Sequence, residues 1–147
     1  MSKLYKFMAL PKRTQWLYAN AAFWLMAVKV GLYLLPFNRL RGWMAHPGQL
    51  YEKPTTFEEM RATLLAIGRI SQFLAPLRIN CLPQALVGHR LLRQQGFDVQ
   101  LKIGVARNPG DRLAAHAWLE YQGRVILGDL RNLSEYIAFP SLEGVRQ

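Results

Sequence analysis

Two apolar runs meet at Gln122-Gly123, and that dipeptide constrains this chain more than any other feature. On one side stands AHAWLE (115–120), on the other RVILGD (124–129). A two-residue connection containing glycine between strand-like runs predicts a tight β-hairpin. The turn of a hairpin sets its register. If residue 121 pairs with 124, then 120 faces 125 and 116 faces 129. Directly opposed side chains share a face, with Cβ atoms about 4.5–5.5 Å apart. An ideal ladder therefore brings His116 and Asp129 together.

The segments before the hairpin read as one strand and several helices. VQLKIGVA (99–106) alternates Val99, Leu101, Ile103 and Val105 with smaller or polar partners, the period of a strand. RNPGDRL (107–113) is rich in turn residues and reads as a loop. A helix is expected to open at Cys81, with Pro83 tolerated in its first turn and Gly96 as a stop. An earlier helix starts near Thr55, with Glu58 three residues on in a capping box, and runs to about Leu74 before Pro76. Residues 36–55 read as a connection, and a turn of helix is expected near Ser134. The order is helix, helix, helix, then three strands in an antiparallel meander. This is an α+β architecture, divided into a helical region (1–76) and a core (77–147) that pack as one compact unit.

The first helix is the apolar run 16–35, WLYANAAFWLMAVKVGLYLL. Twenty residues are enough to cross a bilayer. Asn20 and Lys29 interrupt the run, and a charge in mid-segment costs about 2.5–3.5 kcal/mol on insertion scales. No small-residue cleavage site follows, which argues against a secretory signal peptide. A buried or interface helix is the plainer reading, and a helix on or across a membrane is its alternative.

The 147 residues favour one domain with a real core. A formal charge of +10 predicts attraction to something acidic, without choosing among nucleic acid, anionic membrane and acidic peptide. The single cysteine excludes an intrachain disulfide and Cys-rich zinc sites, and is compatible with a reducing cytoplasm. GxGxxG and GxxxxGK are absent, so no nucleotide cofactor is expected. His46 and His89 have no evident ligand partners, so no metal is expected either.

Chemistry concentrates at three residues. Cys81 stands at a helix N-terminus, where backbone N–H groups and the dipole favour a thiolate, and Arg78 lies close. His116 beside a carboxylate would have a fixed tautomer and a stabilised imidazolium. Together Cys81, His116 and Asp129 make a nucleophile, a base and an orienter. Each also has a plainer reading: a small buried hydrophobe, a hydrogen-bonded core histidine, a strand-ending turn residue. Glu120 shares the face of His116 but stands about 13 Å along the strand, and Asp111 sits in the loop. Trp118 either shields the imidazole from water or is an ordinary sheet aromatic.

NCLPQALVGHRLLRQQGFDVQLKIGV and AHAWLEYQGRVI resemble the transglutaminase-like core of the lasso-peptide leader peptidases. The shared features are a cysteine opening a helix, an RxLLxxxG helix end, an xIGV strand, and HAW followed by an acidic residue and a glycine turn. They cover about residues 77–130, and the apolar helix with LPFNRL is similar, more loosely, to the helical extension ahead of that core. The resemblance implies a papain-like cysteine peptidase acting on a precursor peptide of leader plus core. It implies Cys81 as nucleophile, His116 as base and Asp129 as orienter. Its implied partners are a separate leader-binding protein, since residues 1–50 do not read as a strand-rich domain, and an ATP-using macrolactam cyclase. Two other functions fit the same residues: a transglutaminase-like acyltransferase, and a non-catalytic basic module bound to a membrane or partner. No nucleic-acid motif is present.

Overall fold

The computed structural model describes residues 3–36, 38–40, 42, 56–107, 109–110 and 112–138. Thr55, His46 and Asp111 lie outside the described residues. Helix α1 spans Lys3–Met8 and α2 spans Lys12–Leu34. Helix α3 spans Phe57–Phe73 and α4 spans Cys81–Gln94. The strands are β1 (Gln100–Arg107), β2 (Leu113–Tyr121), β3 (Arg124–Leu127) and β4 (Ile137–Ala138). All pair antiparallel in the order β3-β2-β1-β4. The three expected strands are present as a meander, and β4 adds a fourth on the open edge of β1. A short 3-10 turn, Leu133–Glu135, leads into it.

α3 begins one residue later than expected. Thr56 is the N-cap, and its hydroxyl accepts from the Glu59 backbone N–H at 3.2 Å. The sequence TTFEE fits the Thr-x-x-Glu spacing from both Thr55 and Thr56, so spacing alone does not select the frame. α4 ends as expected, with Gly96 at φ 89 where a side chain would be strained.

α4 is the middle layer. Its Leu86, Val87 and Leu91 join Ala21, Leu25 and Val28 of α2 and Ala66 and Ile67 of α3 in one apolar cluster. Its Ala85 and Leu92 join Phe97, Val99, Ala117 and Leu119 in a second cluster, against the sheet. Residues on both sides of position 76 therefore share a core. Gly88 lets α4 approach the sheet closely, since a Cβ there would stand 2.7 Å from a methyl of Leu119 and 3.0 Å from one of Leu127.

Leu119 is fully buried at that contact. Replacing it with alanine is expected to cost about 2–5 kcal/mol through lost burial and a residual cavity. Thr56→Ala, which removes one cap, is expected to cost about 1 kcal/mol. Urea unfolding of both variants beside the wild type checks the pair; equal losses would contradict the layer arrangement.

Candidate active site

Cys81 is the first residue of α4 and is half-buried. Asn80 precedes it with an extended backbone and makes no side-chain cap. The first-turn N–H groups of a helix have no intrahelical partner, so they gather beside the thiol. Gln84 folds back and donates through Nε2 to the Ile79 carbonyl at 3.2 Å. Lys29 of α2 donates through Nζ to the Arg78 carbonyl at 3.0 Å. Arg78 itself is exposed and adopts a left-handed backbone, φ 53 and ψ 56. The loop that presents the cysteine is thus held from both sides.

The register of helix and sheet brings Cys81 level with His116. α4 and β2 run the same way. Phe97, just beyond α4, meets Tyr121 at the end of β2 edge-on, with ring centroids 5.6 Å apart. Gly88 lies against Leu119. Seven residues back along the helix is about 10.5 Å. Three residues back along the strand is about 10 Å. The side chain of Cys81 packs against the cluster that contains Ala117.

His116 pairs with Gly104 and lies on the sheet face that alternates with Ala117. Its Nε2 stands 2.6 Å from the Gly128 carbonyl oxygen. A carbonyl oxygen only accepts, so Nε2 carries the proton and Nδ1 keeps its lone pair. Trp118 is buried and stacks with the imidazole, centroids 6.0 Å apart and planes at 15°. The Trp118 indole N–H donates to Glu120 Oε1 at 3.0 Å. Tyr136 approaches the imidazole at 5.7 Å, tilted by 56°.

Two glycines make room for this row. A Cβ on Gly104 would stand 2.9 Å from the Ile137 carbonyl oxygen and 2.9 Å from the Trp118 ring. Gly128 has φ +83, and a Cβ there would stand 2.8 Å from the Ala117 carbonyl oxygen.

The expected pairing of His116 with Asp129 needs correction. Tyr121 pairs with Arg124 and Glu120 with Val125, as the turn requires, but Leu119 pairs with Leu127. Ile126 is one residue too many on β3, a β-bulge. Every later residue of β3 shifts by one, so Gly128 comes beside Trp118 and turns its carbonyl to His116. Asp129 is exposed. Among the described residues no hydrogen bond joins it to His116, and none joins His116 to Cys81. The structure brings together His116, Trp118, Glu120, Tyr136 and the Gly128 carbonyl on one face of the sheet, and places Cys81 with α4 on the other.

Sequence reasoning assigned Glu120 only as a rival orienter, and missed Tyr136 and Gly128. The signal for Glu120 was its place two residues beyond Trp118. The signal for Gly128 was a glycine at a strand end. His89 is buried in α4. Among the described residues no group of three or more His, Cys, Asp or Glu could hold a metal. A groove of about 1340 Å³ lies at the far end of α4 between Trp16, Asn20, Glu59 and Gln95. It is about 20 Å along the helix from Cys81, so it does not contain the cysteine.

A cysteine-headed helix packed on an antiparallel sheet defines the class of this α+β fold. The model of the transglutaminase-like superfamily matches residues 22–139, and the chain belongs to that superfamily. Its members are of the cysteine protease and acyltransferase type, and are generally enzymes. No curated protein and no solved structure matches the chain.

Nitrogen-15 NMR of the imidazole is expected to show the Nε2–H tautomer when His116 is neutral. Gly128→Ala is expected to abolish that preference and to destabilise the fold by about 1–3 kcal/mol, through a strained φ and a backbone clash. An Nδ1–H tautomer in the wild type would contradict the geometry.

Proposed function

We propose that the protein is a cysteine peptidase that removes the leader from a ribosomally made lasso-peptide precursor before the macrolactam closes. One observation carries the reading: Cys81 heads the central helix of a transglutaminase-like domain, packed on the sheet whose second strand bears His116. The residues shared with the leader peptidases, NCLPQ and HAWLE, surround these two groups.

In this mechanism His116 Nδ1 takes the proton from the Cys81 thiol, and Sγ attacks the scissile carbonyl. The developing oxyanion is met by the backbone N–H of Cys81 in the first turn of α4. The C–N bond then breaks, and His116 returns the proton to the leaving amine. Water, deprotonated by the same imidazole, hydrolyses the thioester and releases Cys81. The Gly128 carbonyl keeps Nε2 protonated through the cycle, and the aromatic row of Trp118 and Tyr136 keeps water off that bond. Asp129 follows Gly128 directly, so it belongs to the segment whose carbonyl orients the base.

The protein would work in the cytoplasm, where a lone thiol stays reduced. It would take its precursor from a separate leader-binding protein. An ATP-using cyclase would then close the ring on the amine it frees. No cofactor or metal takes part in these steps.

Leader removal is read by mass spectrometry of the cognate precursor, with and without the leader-binding protein. Cys81→Ala and His116→Ala are expected to lower kcat/KM on the order of 10⁴-fold or more, and Asp129→Asn by on the order of 10–100-fold. The partner is expected to accelerate the wild type alone. Cleavage by Cys81→Ala equal to the wild type would rule the nucleophile out. An added amine captured on the product in place of water would show acyl transfer instead.

A further inference from the structure

Charge is unevenly divided along this chain. The first 51 residues hold seven Lys and Arg and no Asp or Glu. The remaining 96 hold twelve Lys and Arg with all nine Asp and Glu. Most of the net positive charge therefore accompanies α1 and α2.

α2 has two apolar faces. Ala21, Leu25, Val28 and Gly31 are buried against the protein. On the outer side Trp16, Phe23, Met26, Val30, Tyr33 and Leu34 are exposed, with Phe23 at 63% and Tyr33 at 80%. Positions 16, 23, 26, 30 and 33 follow a helical stripe about 25 Å long. Exposed Lys12 continues the stripe one turn before Trp16. Lys29 lies beside the stripe, its ammonium donating to the Arg78 carbonyl and standing 5.7 Å from the Tyr33 ring centroid. An aromatic ring thus stands at each end, with Phe23, Met26 and Val30 between and basic residues beyond: Lys6 and Lys12 on one side, Arg39 on the other. Aromatic ends and basic flanks are the pattern of helices at a membrane interface.

The packing decides how such a helix meets lipid. One long face of α2 is covered by α3 and α4. Arg69 of α3 donates to the Tyr18 hydroxyl at 2.8 Å, and Arg13 pairs with Glu59. A spanning α2 would carry these charged groups into hydrocarbon, at a cost that such groups rarely bear. The helix can only lie in the plane of the surface. Another copy of the chain is a poorer occupant. A helix seam between copies is favoured by complementary charges along it, and α1 and α2 themselves carry no acidic residue.

We propose that the outer face of α2 docks in plane on an anionic lipid bilayer. The stripe from Trp16 to Tyr33 enters the headgroup–acyl boundary, and Lys6, Lys12 and Arg39 meet the lipid phosphates. Anionic lipid supplies the negative charge that this region lacks.

Flotation of the full chain with vesicles tests this. Vesicles of phosphatidylcholine with phosphatidylglycerol are expected to carry the protein at least about tenfold better than phosphatidylcholine alone, and less well as salt is raised. Phe23→Ser with Val30→Ser is expected to weaken binding about tenfold or more, with the unfolding midpoint retained because both side chains are exposed. Should that variant misfold, Lys6→Gln with Lys12→Gln provides the second arm and is expected to remove most of the preference for anionic lipid. Lipid brominated near the acyl boundary is expected to quench tryptophan emission in the wild type and much less in Trp16→Phe. Equal recovery with both vesicle types, or no flotation with either, would overturn the proposal. So would a dimer in solution that Phe23→Ser dissociates, since the stripe would then face a second copy. None of these readouts depends on peptidase activity.

Discussion

Everything in this fold leans on the burial of α4 between two layers. A helix that is apolar on one side needs one partner, whereas α4 is buried from Pro83 to Leu92 on both sides. Its outer residues hold α2 and α3, and its inner residues hold the sheet. The closeness of the inner contact depends on the missing side chain at Gly88. That contact also fixes the axial position of the helix, because Leu119 and Leu127 sit where a larger residue would stand. Once the helix cannot slide, the height of Cys81 relative to β2 is fixed as well. The position of Cys81 is a consequence of core packing about two turns away.

The imidazole is placed by different means. His116 sits on a strand whose neighbours are set by hydrogen-bonded register, and its ring is fixed by one backbone carbonyl and two aromatic rings. A side-chain orienter can rotate away; a carbonyl at a glycine with positive φ cannot do so without moving the chain. The bulge at Ile126 is what delivers that carbonyl. Bulges commonly re-aim a segment beside a functional site. The indole of Trp118, itself held by Glu120, closes the other side. Two glycines that admit no Cβ mark the space the row occupies.

Much of the architecture was legible in the sequence because it rests on period and punctuation. The alternation in 99–106, the turn at Gln122-Gly123 and the stop at Gly96 each have a local cause, and each element lies where that cause puts it. The α+β class and the transglutaminase-like family follow from them and from the cysteine-headed helix. The capping frame of α3 was ambiguous by one residue because two threonines fit the same spacing. The partner of His116 was not legible. One extra residue on β3 shifts the ladder, and no composition signal in RVILG distinguishes a bulged strand from a regular one. Likewise the two faces of α2 look alike in sequence. Apolar residues surround the helix, so only tertiary packing separates the wall of the core from the exposed side.

The bond from Lys29 to the Arg78 carbonyl joins two parts of the molecule with different duties. One is the outward helix, the other the loop that ends at the nucleophile. The same helix contributes Ala21, Leu25 and Val28 to the core. α2 is therefore no detachable handle. Many proteins gain a removable address by adding a hinged tail that a protease can clip, leaving the body intact. Here clipping would open the core and release the cysteine loop in one event, so the outer face of α2 cannot be lost without the fold that holds Cys81.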